Sequence, residues 1–162
     1  MTAQIMTVCL LAIASIEVHH TVDLDDNLAV CLDVAEEAVR QHVPVPLAVA
    51  VSLEESGLTR HLTSHNGCCY GPVQVNLYWA RRLGACHVLA CCDTIAVGLG
   101  WLSWLISEHG VERALCHYNQ GEHCGRGGQR YARRVLIDAH RWSSRLDAAE
   151  LERQRRHYGD ED

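Results

Sequence analysis

Residues 44–57 read PVPLAVAVSLEESG, and this stretch decides the fold. Pro46 suits the first turn of a helix and Gly57 suits its end, so the sequence predicts a helix between them. Apolar residues occupy every side of its first half, which is typical of a helix in the middle of a core. Its last turn carries two carboxylates, Glu54 and Glu55, where the helix dipole disfavours negative charge. Two acids in so unfavourable a place are candidates for chemistry.

Apolar residues continue at helical spacing on both sides of the buried helix, and no segment alternates convincingly as a strand. The predicted helices run from caps at Asp25 and Asp26 to Pro44, over 72–84, from a cap at Asp93 to Gly110, over 111–117, and from about 129 past Trp142. A flexible loop is predicted before the last helix, at Gly125, Gly127 and Gly128. The fold class is therefore all-α, with about six helices around the buried one.

The chain has 162 residues, a net charge of -6 and 48% hydrophobic residues, which fits one globular domain. The negative charge argues against a nucleic-acid partner, since such a partner requires a basic face. We expect a domain over 24–145, flanked by an apolar segment over 1–23 and a charged helix end and tail over 146–162. The apolar run within 3–16 is too short for a comfortable membrane span, and it fits a signal peptide and a buried helix equally well.

Nine cysteines give an odd total, so at least one thiol is free or paired between chains if the others are oxidised. The string from Cys116-His117 to His123-Cys124 has the residue types of a zinc site, but its spacing matches no common zinc pattern. Buried thiols or a disulfide across this loop are the preferred interpretation. We therefore expect neither a metal nor a cofactor.

Three short clusters follow one another along the chain, and a tyrosine comes about ten residues after the third. They are Glu55-Ser56-Gly57, Tyr70-Gly71-Pro72-Val73-Gln74-Val75, His117-Tyr118-Asn119-Gln120-Gly121 and then Tyr131. Each is a weak signal alone. In this order and at this spacing they resemble the catalytic domain of soluble lytic transglycosylases and its relative, goose-type lysozyme. The resemblance covers about residues 44–142.

Further positions between the clusters agree with the same family pattern. They are Ser64, Gly67, Gly71 and Gln74, then Ala80-Arg81-Arg82-Leu83-Gly84, Thr94-Ile95, Gly98 and Trp101-Leu102, and finally Tyr131-Ala132-Arg133-Arg134-Val135. The chain departs from the pattern at Pro72-Val73, where the family has Leu-Met. It also has one extra residue and two cysteines between Gly67 and Gly71. These departures concern the substrate loop rather than the acid.

The resemblance implies a small lysozyme-like domain that cleaves peptidoglycan, with Glu55 as its single general acid/base. The predicted position of Glu55 at the end of a buried helix supports this role. Low dielectric and the negative end of the helix dipole both keep a carboxyl protonated to higher pH. Glu54 lies about 100° around the helix, so only one of the two acids can face the cleft. The Glu-Ser pattern of the family implies that it is Glu55, which leaves Glu54 as a structural or solvated residue. No acid occurs between Glu55 and Gln74, and Asp93 is interpreted as a helix cap. In the family, the C6 hydroxyl of N-acetylmuramic acid attacks its own anomeric carbon and closes a 1,6-anhydro ring.

The family pattern also implies residues that bind substrate. Gln74, Tyr118 and Asn119 are expected to line the cleft, Tyr118 and Tyr131 to orient the acid or the sugar, and Ser64 to support an oxocarbenium-like state or the N-acetyl group. Core packing is the alternative role for each of them. The four tryptophans stand at helical spacing among leucine and isoleucine, which favours core positions over stacking on sugars.

Three alternatives stay open. A goose-type muramidase would use water as the nucleophile, a catalytically inactive module would bind the wall without cleaving it, and a cysteine-rich metal-binding protein would contain bound metal. For the favoured enzyme, the partner is the peptidoglycan glycan strand and the chain is a monomer. It acts in the periplasm or the extracellular cell wall, after export or delivery by a phage particle or a secretion machine.

Overall fold

The structure is a computed structural model that describes residues 2–16, 23–82, 84 and 93–158, with side chains up to residue 149. The described helices are α1 (Ala3–Ile13), α2 (Leu24–Arg40), α3 (Val45–Ser56), α4 (Leu77–Arg82), α5 (Thr94–His109), α6 (Val111–Gln120) and α7 (Arg126–Tyr158). Two short strands, β1 (Cys69–Tyr70) and β2 (Val75–Asn76), pair antiparallel with Cys69 opposite Asn76 and Tyr70 opposite Val75. The prediction of an all-α domain is confirmed, because nearly all regular structure is helical.

Helix α3 lies at the centre of the core, as its apolar composition predicts. Every residue from Leu47 to Ser52 is buried, and the helix packs against α1, α2 and α7. It ends before Gly57, whose φ of 62° is the left-handed conformation that closes helices. The buried Asn27 of α2 supports this end, since its side-chain amide donates to the Gly57 carbonyl at 2.8 Å.

Helix α1 packs on the core through Val8, Cys9 and Ala12, which are buried. A disulfide between Cys9 and Cys31 joins it to α2, with the Cα atoms 5.6 Å apart. The apolar run is thus a helix packed on the core in this structure. None of the helices within the described ranges is long and apolar enough to cross a bilayer.

The predicted helix over 72–84 is wrong in its first half. Residues 71–74 form a turn between β1 and β2, in which Gly71 has a φ of 79° and Gln74 a φ of 47°. These left-handed conformations cannot continue a helix. Helix α4 begins only after Asn76, whose side-chain oxygen accepts from the Tyr78 amide at 3.0 Å. Leu83, at the predicted end, lies outside the described residues.

Two predicted caps have different outcomes. The N-cap of α2 is Asp23 rather than Asp25 or Asp26, because its carboxylate accepts from both of their amides at 3.2 Å. The cap of α5 is confirmed, since the Asp93 carboxylate accepts from the Ala96 amide at 3.0 Å. A carboxylate at a helix start satisfies free amides and complements the dipole.

The connection between α6 and α7 is shorter than the flexible loop predicted at Gly125, Gly127 and Gly128. Helix α6 continues beyond His117 to Gln120, and α7 already begins at Arg126. Gly128 lies in the first turn of α7 and packs closely on α6, since a Cβ at this position would lie 2.7 Å from the Cys116 sulfur. A disulfide joins Cys116 to Cys124 across the corner, which confirms that interpretation over a zinc site. Helix α7 continues through the predicted charged tail as far as Tyr158.

Candidate active site

Glu55 is the most perturbed carboxyl in the described part of the chain. Its pKa is raised from 4.5 to about 7, chiefly because burial removes the anion from water. The neighbouring Glu54 charge adds to this increase, whereas interaction with the Tyr131 hydroxyl opposes it. The carboxyl can therefore hold a proton near neutral pH and also release it, as a general acid/base must.

Two tyrosines lie beside this acid. Burial and the Glu55 charge both raise the pKa of Tyr131 in α7 and of Tyr118 in α6, so the two rings stay neutral. The Tyr131 hydroxyl is buried and faces Glu55, yet it makes no hydrogen bond of standard geometry with any described side chain or backbone group. It is free to orient the carboxyl or a sugar. The structure thus brings three of the predicted site residues together.

Glu54 belongs to a separate interaction on the surface. Its carboxylate forms an ion pair with the Arg134 guanidinium of α7, and the Arg134 Nε lies 2.7 Å from it. This pair also ties the end of α3 to α7. This ion pair agrees with the prediction that Glu54 is a structural or solvated residue.

The turn at residues 71–74 is held in place by contacts from three helices; we call it the site turn. The buried Ser52 hydroxyl of α3 donates to the Pro72 carbonyl at 3.2 Å, and the Tyr118 hydroxyl donates to the Val73 carbonyl at 2.7 Å. From α5, Gly98 leaves room for the turn, because a Cβ there would lie 2.4 Å from a Val73 methyl carbon. The position of the turn therefore depends on residues far apart in sequence.

Gln74 and Ser64 support loops within the structure. The Gln74 amide donates to the carbonyls of Gly71 and Leu62, at 2.9 and 3.1 Å. The Ser64 hydroxyl lies 2.9 Å from both the Asn66 side-chain oxygen and the Cys69 amide nitrogen. Their side chains are engaged rather than extended into the cleft, so their predicted contact with substrate requires these bonds to exchange.

Tyr118 and Asn119 lie within α6, which extends beyond the predicted end at residue 117. Asn119 is exposed near the end of the helix, whereas the Tyr118 hydroxyl is already bonded to the site turn. Tyr118 is therefore a positioning residue first, and Asn119 is the more available group for a ligand.

Cys69 is a neighbour of the acid that the sequence analysis did not assign to the site. Burial is the main cause of its raised pKa, the neighbouring Cys68 comes next, and the Glu55 charge adds to the rise. Its neighbours Cys68 and Tyr70 line an open groove of about 720 Å³ that continues along α4 to Arg81 and Arg82. The Cys68–Tyr70 segment thus separates the acid from this basic groove.

Two other residues that hold the site turn, Ser52 and Gly98, were not predicted as site residues. Ser52 interrupts an otherwise apolar run, which was the available signal for a buried hydrogen bond. Gly98 was identified only as a position that agrees with the family pattern. The tryptophans divide: Trp142 is fully buried, as predicted, whereas Trp79, Trp101 and Trp104 are exposed by 52%, 40% and 48%, which corrects their assignment to the core.

The raised pKa of Glu55 predicts how stability depends on pH. Between pH 4.5 and about 7 the folded state keeps a proton that the unfolded chain releases. The stabilisation that this proton gives the folded state is fully present below pH 4.5 and is lost as the pH rises through about 7. The resulting change in the free energy of unfolding is at most about 3 kcal/mol. The Glu55→Gln variant lacks this titration. Its free energy of unfolding should exceed that of the wild type at pH 8, and the difference should vanish near pH 4 in urea titrations.

No family model, curated protein or solved structure matches this chain in the comparisons with known proteins.

Proposed function

We propose that the protein is a lytic transglycosylase that cleaves the β-1,4 bond between N-acetylmuramic acid and N-acetylglucosamine in peptidoglycan. The observation that carries this proposal is Glu55, the one carboxyl of raised pKa within the described residues, beside Tyr131 at the end of a buried helix. The family resemblance of the sequence supports the substrate class. The proposed substrate lies in the cell wall, so the protein would act in the periplasm or outside the cell.

The lack of a partner acid near Glu55 among the described residues favours the transglycosylase over a hydrolase. Within the described residues, Glu54 is the one carboxylate whose charge acts on Glu55, and it is bound to Arg134. Asp93 is occupied as the cap of α5. A glycosidase that activates water requires a second carboxylate, whereas an internal nucleophile does not.

The reaction then needs one group to give and take a proton. The protonated Glu55 carboxyl donates to the glycosidic oxygen as the bond from that oxygen to the anomeric carbon breaks. The C6 hydroxyl of the same muramic residue attacks this carbon, and the Glu55 carboxylate accepts the hydroxyl proton. An attacking group in the same sugar has a high effective concentration, so no separate water needs to be activated.

The other site residues have supporting roles in this proposal. Tyr131 orients the carboxyl or the sugar through its unbonded hydroxyl, and Asn119 is available to bind the glycan. Three further residues hold the site turn and its flanking loop in position: Tyr118, Gln74 and Ser64. The chain is proposed to act as a monomer without metal or cofactor.

The chemical structure of the product tests the proposal. Purified protein incubated with peptidoglycan should release mainly 1,6-anhydromuropeptides, because the muramic hydroxyl closes the ring. Mass spectrometry before and after borohydride treatment measures this, since an anhydro end does not take up hydride. A goose-type muramidase would instead release fragments heavier by one water, all of them reducible. No soluble fragments at all would indicate an inactive wall-binding module.

A further inference from the structure

Cys68 and Cys69 are two adjacent free thiols in the loop near the candidate acid. Their sulfurs are 3.0 Å apart, and the Ser64 hydroxyl lies 3.8 Å from the Cys68 sulfur. The other four cysteines in the described ranges are all in disulfides, and these two remain reduced. Both are half-buried, and Cys68 lines the open groove, so a small reagent can reach its sulfur.

We propose that Cys68 and Cys69 are a reversible oxidation site, which a low-molecular-weight disulfide converts into a disulfide between the two adjacent residues, and that this closure displaces the loop next to Glu55. The oxidation itself is independent of the proposed function. Its effect on cell-wall lysis rests on that function.

Cys68 is the thiol that reacts first. Hydrogen bonds from Cys69 and Ser64 lower its pKa, which increases the fraction of the reactive thiolate. Burial and the neighbouring Cys68 raise the pKa of Cys69 to about 12, so this thiol stays protonated. The Cys68 thiolate attacks one sulfur of the reagent, the sulfur–sulfur bond of the reagent breaks, and one thiolate leaves and takes up the proton that Cys68 had lost.

Cys69 completes the reaction. Once Cys68 is in a mixed disulfide, its charge and its hydrogen bond no longer raise the pKa of Cys69. The Cys69 thiol gives its proton to solvent and attacks the Cys68 sulfur, and the second reagent thiolate leaves and is protonated. Two cysteine thiols are thus oxidised by two electrons, and one reagent disulfide is reduced to two thiols.

Closure must change the backbone. Adjacent Cα atoms are about 3.8 Å apart, shorter than the separation in ordinary disulfides, so the peptide between them has to distort. All four backbone groups of this pair are bonded. The Cys68 amide donates to the Asn66 side-chain oxygen at 3.2 Å and the Cys69 amide to the Ser64 hydroxyl at 2.9 Å. The Cys68 carbonyl accepts from the Leu77 amide at 3.1 Å and the Cys69 carbonyl from the Ser64 amide at 2.9 Å. Distortion breaks some of these bonds and moves the loop. A strained disulfide is also readily reduced, which makes the change reversible.

The test uses the full chain, titrated with oxidised and reduced glutathione and then digested with trypsin. Cleavage after Arg60 and Arg81 gives one peptide, 61–81, that contains both thiols and no other cysteine. We expect this peptide to lose two hydrogen masses on oxidation and to regain them with dithiothreitol. Hydrogen exchange should become faster at the amides of Ser64, Cys69 and Leu77 in the same transition. The rate of wall lysis should fall about tenfold or more, as is usual when a catalytic group is misplaced.

Matched variants separate the steps. Cys69→Ser should stop at a mixed disulfide on Cys68, and the double variant Cys68→Ser/Cys69→Ser should show neither the mass change nor the redox response of lysis. A persistent glutathione adduct in the wild type, or a 61–81 peptide crosslinked to another peptide, would overturn the proposal. So would closure without a change in hydrogen exchange. Mass and exchange are measured without substrate, so they remain decisive even if the protein lyses no cell wall.

Discussion

Replacing Glu55 by glutamine should lower the rate of peptidoglycan lysis by about 10²–10⁴-fold, to the background of the assay. The amide keeps the size of the carboxyl, but it neither donates a proton to the glycosidic oxygen nor accepts one from the muramic hydroxyl. Folding should be unaffected or slightly improved, because burial of the carboxylate is what raises its pKa to about 7. A zymogram gives the activity, and circular dichroism with a melting curve gives the folding.

Glu54→Gln is the matched control, one residue away. It breaks the ion pair with Arg134, which is partly exposed and so contributes about 1 kcal/mol or less. Most of the lytic activity should remain. If the Glu54 variant were inactive and the Glu55 variant active, the assignment of the acid and the register of the family resemblance would both be wrong.

Replacing Gly98 by alanine should displace the site turn and lower the free energy of unfolding by about 1–3 kcal/mol. The new methyl group would lie 2.4 Å from a Val73 methyl carbon and 3.0 Å from both the Tyr118 hydroxyl and a Val75 methyl carbon. Relief of these clashes requires movement of the site turn, and such movement lengthens the bond between Tyr118 and Val73. Urea titration measures the stability, and the lysis rate should fall by about tenfold or more.

Gly100→Ala is the control in the same helix, two residues later. A Cβ there would be 3.6 Å from the nearest atom, the Gln41 side-chain oxygen, which is an ordinary contact. Because alanine favours a helix over glycine, this variant should be as stable as the wild type or up to about 1 kcal/mol more stable. Equal losses of stability and lysis rate in the two variants would contradict the role of Gly98 in positioning the site turn.

The sequence predicted best where one physical effect dominates. The apolar run before Ser52 leaves helix α3 no stable place except the core, and Gly57 ends it, so burial of the neighbouring Glu55 follows from local pattern. The cap at Asp93 was predictable for the same reason, because a carboxylate at that position has an amide to accept from. These features depend on a few consecutive residues.

The rest of the candidate site depends on packing between distant residues, which local patterns do not contain. Pro72 indicates a helix start as readily as a turn, and the left-handed Gln74 becomes favourable only when its amide reaches Leu62 and Gly71. Likewise, nothing in the Cys68-Cys69 dipeptide reveals that the Glu55 charge reaches Cys69. Tertiary contacts override local preference in such places.

The two disulfides of the described chain bear on the order in which it folds. They close short separations, 22 residues for Cys9–Cys31 and 8 for Cys116–Cys124, and each joins neighbouring segments of the sequence. Thiols so close in sequence meet within microseconds in an unfolded chain, but the covalent bond itself takes seconds or longer to form. Both crosslinks therefore precede collapse only in a chain that refolds with its disulfides intact. In such a chain, two crosslinked corners exist while α3 is still hydrated. The Glu55 carboxyl then loses its water late, after both covalent anchors have reduced the conformational search around it.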